Sequence, residues 1–320
     1  MNRLSRDPVA LLKAAREGQR LALARLMSLV ERGGDEARLL GAETYSHVGG
    51  AYTVGMTGAP GSGKSSLTAA LASVVRAEDE RLAILAIDPS SPFTGGAILG
   101  DRVRMQDHVM DDGIYIRSMA TRGHLGGLSL ATPQAIRVLD ALGWPWVLVE
   151  TVGVGQVEVD IAGAADTTIV VVNPGWGDAV QANKAGLMEV ADIFVINKAD
   201  RKGADDTRRD IQQMLELSSL GEWEPPILMT VATEQIGVDE LWTEIAAHRE
   251  YLENCGELKA RRIRRIDAEL SEIVTRSLEN RVVATMDRPE TAKLKDQLMR
   301  GEIDPYAAAA QLISMAEDDN

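Results

Sequence analysis

Hydrophobic positions divide the chain into three textures. Between Asp7 and Ser46, Leu11, Leu12 and Ala15, then Leu23, Leu26, Met27 and Val30, recur at the spacing of helices with one buried face. Asp7-Pro8 has the form of an N-cap followed by proline at the first helical position. Gly18 and Gly33-Gly34 interrupt the pattern, which predicts two or three short helices.

From Ala51 to about Asn254 the pattern changes. Short β-rich runs at Tyr52–Met56, Leu82–Ile87, Ile114–Ile116, Trp146–Val149, Thr167–Val172, Ile193–Ile196 and Ile227–Val231 alternate mostly with segments of helical length. Runs such as Ile169-Val170-Val171-Val172 lack polar alternation, as strands covered on both faces do. Strands separated by helices predict an α/β fold with a mostly parallel, doubly wound sheet.

From Glu257 the strands stop. Leu258, Ile263, Ile266, Leu270, Ile273, Val274, Leu278 and Val282 form one apolar stripe at helical spacing, with charges on the other faces. Helices around Thr291–Arg300 and Pro305–Met315 follow, and Glu317-Asp318-Asp319-Asn320 reads as a frayed tail. The stripe must be buried, either on the chain's own globular domain or on a partner subunit, and the pattern leaves both open. Arg261, Arg262, Arg264 and Arg265, set among acids, read as a solvated face. The expected organisation is an N-terminal helical extension (1–48), an α/β domain (49–254) and a C-terminal helical arm (255–320).

Composition acts mainly by exclusion. The 320 residues, 45% hydrophobic, suffice for one large core or a domain with appendages. A net charge of −14 and only 4% aromatic residues argue against nucleic acid. No apolar run approaches the roughly 20 residues that span a bilayer, and the N-terminus lacks the basic-then-apolar order of a signal peptide. A cytoplasmic protein without membrane attachment is expected. Cys255 is the single cysteine and the four histidines are scattered, so neither a disulfide nor a metal cluster is offered.

The chemistry is concentrated in a few loops. Gly58-Ala59-Pro60-Gly61-Ser62-Gly63-Lys64-Ser65, followed by Ser66, lies between a strand and a helix predicted over Ser65–Val75, which is the setting a phosphate-binding loop requires. Its glycines let backbone N–H groups approach phosphates, and the helix N-terminus adds a positive dipole. Lys64 suits the β- and γ-phosphates, and the Ser65 hydroxyl suits magnesium.

Asn197-Lys198-Ala199-Asp200 stands at the end of a buried strand, about 130 residues further on. Its carboxylate, Asp200, can accept from guanine N1–H and the exocyclic amine, a donor pair adenine lacks. Asn197 would hold the neighbouring loop and Lys198 would cover the ring. A backbone N–H near Val231, Ala232 and Thr233 is a fainter candidate for the guanine oxygen. Between the two motifs, Trp146–Gly153 reads as a strand ending at the magnesium and γ-phosphate sensor. Glu150 would act on magnesium through water and the Gly153 N–H would meet the γ-phosphate. Asp88 and Asp101 are candidates for the outer shell of the magnesium, in a segment with the look of a first switch. Arg117–Gly127 and Pro174–Lys184 are further glycine-rich loops of a kind that can report nucleotide state. No side chain stands out as water-positioner, Gln156 being displaced from the Gly153 turn, and no arginine finger is evident in cis. A slow intrinsic GTPase raised by a partner is expected.

These motifs, with Asp88-Pro89-Ser90-Ser91-Pro92, Gly100-Asp101-Arg102 and Glu150-Thr151-Val152-Gly153-Val154-Gly155-Gln156, resemble the MeaB/ArgK group of G-protein chaperones over nearly the whole chain. The resemblance implies a P-loop GTPase using Mg²⁺ with GTP and GDP. Its client would be methylmalonyl-CoA mutase or a related adenosylcobalamin-dependent mutase, through which alone it meets cobalamin. It also implies a homodimer formed through the C-terminal arm. Gly177, Asp178, Gln181 and Lys184 resemble a third switch facing the mutase, with Trp176 and Asn183 departing from the expected aliphatic residues. Three other readings stand beside it: an ATPase or kinase for lysine, arginine and ornithine transport, which Asp200 argues against; a nickel-insertion GTPase, which would need Cys/His ligands; and a nucleotide-dependent scaffold without useful hydrolysis.

Overall fold

The computed structural model describes residues 7–88, 108, 110–120, 131–151, 161, 163–175, 189–217, 221–286 and 289–317. Three helices open the chain: α1 (Pro8–Arg16), α2 (Arg20–Arg32) and α3 (Asp35–Tyr45). The Asp7 carboxylate accepts from the amides of Val9 and Ala10 at 3.3 and 3.2 Å, the predicted cap. Seven strands follow: β1 (Tyr52–Thr57), β2 (Leu82–Asp88), β3 (Ile114–Ala120), β4 (Trp146–Thr151), β5 (Thr167–Val172), β6 (Ile193–Asn197) and β7 (Ile227–Thr230). Among them run α4 (Lys64–Ala77), α5 (Ala131–Ala141), α6 (Ala204–Leu217) and, after β7, α7 (Val238–Cys255). The chain closes with α8 (Glu257–Met286), α9 (Pro289–Met299) and α10 (Pro305–Glu317).

All seven strands pair in parallel in the order β3-β2-β4-β1-β5-β6-β7. The apolar runs are explained by burial on both faces. Val147 and Val149 of β4 face a core shared with α1, α2, α3 and α5, while Trp146 and Leu148 face α4 and α7. In β6, Phe194 and Ile196 meet α6 while Ile193 and Val195 meet the α4–α7 side. Because β1 lies between β4 and β5, the turn leaving its C-terminal end sits where the strand order reverses, the usual ligand crevice of an open α/β sheet.

The chain separates into two compact units, residues 1–262 and 263–320. In the second, Leu294, Thr285, Thr291 and Ala308 are buried, and the Thr291 hydroxyl donates to Thr285 O at 2.7 Å. Along α8, Ile263, Ile266, Leu270, Ile273, Val274 and Leu278 are each about half exposed in the single chain. Among the described residues no helix is long and apolar enough to cross a membrane.

One expectation is corrected. Arg261 and Arg262 are not a solvated face. Arg261 grips Asp192 with two nitrogens at 2.8 and 2.9 Å, and Arg262 grips Asp166 at 3.1 and 3.3 Å. Asp166 and Asp192 are buried ahead of β5 and β6 and also accept from the amides of Thr53 and Thr168. Removing a carboxylate from water is offset here only by paired charge and N–H donors, which draws both guanidinium groups inward.

Candidate functional site: a phosphate cradle joined to a base-reading loop

The turn between β1 and α4 is a cradle of backbone. Gly58 has φ +133° and a Cβ there would meet Val171 O at 2.0 Å, so the loop can leave the sheet this way only without a side chain. Gly63 has φ +94°, and a Cβ would fall 2.3 Å from Asn197 Nδ2. Lys64 is almost fully buried; its ammonium donates to the carbonyls of Gly58 at 2.5 Å and Ala59 at 3.1 Å. Ser65 opens α4, and its hydroxyl donates to Glu150 Oε1 at 2.7 Å. Glu150 is wholly buried at the end of β4. Two hard oxygen donors side by side at the phosphate end of the loop fit a magnesium ion.

Asn197 joins the two motifs. Its Nδ2 donates to Ser62 O at 2.9 Å, and its Oδ1 accepts from Thr230 Oγ1 and the Ala232 amide, both at 3.2 Å. Lys198, at φ +60°, donates to Gly61 O at 2.6 Å. Asp200 is exposed beyond them. The Val231 amide donates to Ile236 O at 3.0 Å, closing a tight turn over Ala232 and Thr233. Three loops, after β1, β6 and β7, are thus brought together at one end of the sheet.

Asp101, Gly153, Gly177, Asp178, Gln181 and Lys184 lie outside the described residues, as do Gln156 and residues 121–127 of the expected Arg117–Gly127 loop, whose first four residues belong to β3 instead; of Asp88 only the backbone is described, paired with Ala120. Three features were missed in the sequence. Thr230 orients Asn197, and its signal was a hydroxyl closing a strand beside the base loop. Arg117 pairs with Glu31 and bonds Ser28 at 3.0 Å, tying β3 to α2. Thr151 donates to Thr57 at 3.2 Å across the ends of β4 and β1. Among the described residues no group of three His, Cys, Asp or Glu side chains converges to hold a metal.

A family model described as methylmalonyl Co-A mutase-associated GTPase MeaB matches residues 23–287. The chain belongs to the MeaB family. A protein of Pyrococcus abyssi is 50% identical over 308 residues, 95% of each chain. GTPase ArgK of Escherichia coli is 38% identical over 259 residues, 78% of each chain. The mitochondrial methylmalonic aciduria type A homolog of mouse is 34% identical over 216 residues, 66% of this chain and 52% of that one. Among solved structures, one described as an LAO/AO transport system kinase is 26% identical and superposes with a TM-score of 0.72, covering 99% of this chain and 100% of the other. This MeaB-family member is therefore a P-loop GTPase.

Proposed function

We propose that this GTPase is a chaperone that gates adenosylcobalamin loading into methylmalonyl-CoA mutase, or a related acyl-CoA mutase, and protects or reactivates that enzyme. The observation that carries the reading is the match over residues 23–287 to a family described by its mutase association. The likeness to the mouse methylmalonic aciduria type A homolog supports it.

In the proposed cycle the amides of Gly58–Ser66 and the Lys64 ammonium neutralise charge spreading over the phosphoryl oxygens. Ser65 and Glu150 would hold magnesium, Glu150 through water, and Asp88 and Asp101 would support it from the outer shell. The ion, when bound, supplies further charge neutralisation at the β- and γ-phosphates. Gly153 offers its amide to the γ-phosphate. Asp200 accepts from guanine N1–H and the amine, Lys198 covers the ring, Asn197 fixes the loops, and the Val231-Ala232-Thr233 turn lies beside the guanine oxygen. Gly177, Asp178, Gln181 and Lys184 carry the nucleotide state to the mutase, and cobalamin is met only there. Two copies associate through the half-exposed stripe of α8. Hydrolysis is slow alone and rises with the mutase.

Purified mutase is expected to co-elute with the protein in size-exclusion chromatography, with affinities for its GTP-analogue and GDP forms that differ about fivefold or more. No complex in either state overturns the mutase reading. The likeness to the LAO/AO transport system kinase favours a second reading, an amino-acid-transport ATPase or kinase. ATP displacing bound GTP as readily as GTP itself does would select it.

A further inference from the structure

The Ser65–Glu150 bond lies on the α4 side of the sheet. On the other side of the same two strand ends is a second hydroxyl contact that the nucleotide motifs do not account for. Thr57 ends β1 and Thr151 ends β4; both are completely buried. Thr151 Oγ1 donates to Thr57 Oγ1 at 3.2 Å and approaches Met56 O at 3.4 Å. The backbone register between these strands runs from Tyr52↔Trp146 to Met56↔Glu150. At that last pair and one residue beyond it, side chains add to the stitching: Ser65 to Glu150 on one face, Thr151 to Thr57 on the other.

Space filling alone does not call for hydroxyls here. Val149 and Ile87 fill adjacent positions, Ile87 directly opposite Thr151 on β2, with apolar side chains. A valine has the shape of threonine but cannot make the bond, so what the pair adds over apolar packing is a directed link. That link spans the exit of the strand feeding the phosphate loop at Gly58 and the exit of the strand carrying Glu150. Thr151 is paired with Ile87 of β2 and Thr57 with Val170 of β5, but the backbone register between β1 and β4 stops at Met56↔Glu150, so beyond it the hydroxyl bond is what ties these two ends to each other. A displacement of about 1 Å at a reacting centre is enough to cost a hundredfold in rate.

We propose that Thr151, with Thr57 as its acceptor, is a positioning residue for GTP hydrolysis: the hydroxyl bond holds the end of β4, and with it the Glu150 carboxylate, in register with Ser65 and the phosphate loop. The inference rests on the assignment of Ser65 and Glu150 to the magnesium end of the site.

The test compares wild-type protein with T151V, T151S and E150Q in steady-state GTP hydrolysis, magnesium titration of the rate, equilibrium GTP and GDP binding, and thermal unfolding. T151V is expected to lower kcat about tenfold and to raise the magnesium needed for half-maximal rate, with nucleotide affinity within about twofold of wild type. T151S restores the hydroxyl and most of kcat. A folded T151V with wild-type kcat and magnesium dependence overturns the proposal. So does a loss of kcat in T151V that T151S fails to rescue. E150Q hydrolysing GTP like wild type instead overturns the assignment of Glu150 beneath it. Should T151V not fold, T57V removes the acceptor from the same bond and is read by the same criteria.

Discussion

At the scale of single residues, the site is a set of side chains that brace the loops around it. Asn197 uses both ends of its amide, on Ser62 O and on Thr230 and Ala232, and Lys198 is spent on Gly61 O. Asp200 is exposed next to them, and the proposed function gives the choice of base to that carboxylate. Replacing it by asparagine changes an acceptor into a donor, which suits the carbonyl that xanthine presents where guanine has its amine. D200N is therefore expected to prefer XTP over GTP in competition binding, reversing a preference of about a hundredfold or more; an unchanged preference for GTP would show that another group reads the base. That the two loops lie at one end of the sheet was legible in the sequence, because Gly58–Ser65 and Asn197–Asp200 are contiguous motifs that each follow a strand. Thr57, Thr151 and Thr230 were not, because a threonine at a strand end looks alike whether its hydroxyl is bonded or merely tolerated. Only the parallel register of β1 and β4 brings Thr57 and Thr151 together.

At the scale of elements, strands and helices were readable because burial on both faces gives β4–β6 their apolar runs. The root of α8 was misread because a run of arginines has the same periodicity whether it meets water or buried acids. Asp166 and Asp192, each just ahead of a buried strand, were the overlooked signal. They join Arg261 and Arg262 to a polar cluster that includes His248 of α7 and Thr167 of β5. His248 is fully enclosed, with Thr167 Oγ1 2.8 Å from Nδ1 and Asp192 Oδ1 3.3 Å from Nε2. Burial dominates, and with Arg261 nearby it pushes the imidazole down from 6.5 to about 4 against the pull of Asp192 and Asp166. The unfolded chain therefore takes up a proton near pH 6.5 that the folded chain refuses until about pH 4. Stability is complete above the higher value and drains as pH falls between them, by on the order of 3 kcal/mol. Urea unfolding of wild type and H248N at pH 7.5, 6 and 5 checks this. Since other carboxylates titrate in both proteins, the readout is the difference, and wild type should lose stability more steeply than H248N. Parallel curves would contradict the protonation argument.

At the scale of the whole molecule, the sheet order explains how one chain assembles the site. Strands β1, β4 and β6 deliver the phosphate loop, Glu150 and the base-reading loop to one end, and β7 supplies the turn that braces Asn197. The proposed client and dimer lie at a level that neither periodicity nor the isolated chain reaches, because an apolar stripe specifies that something covers it without specifying what. The family relationship is what directs the proposal to a mutase. The most direct test is GTP turnover of the purified protein titrated with methylmalonyl-CoA mutase. The account predicts a slow basal rate that rises saturably as mutase is added, with no such rise when ATP replaces GTP. A rate independent of mutase across the titration, in a preparation that binds GTP, would contradict it.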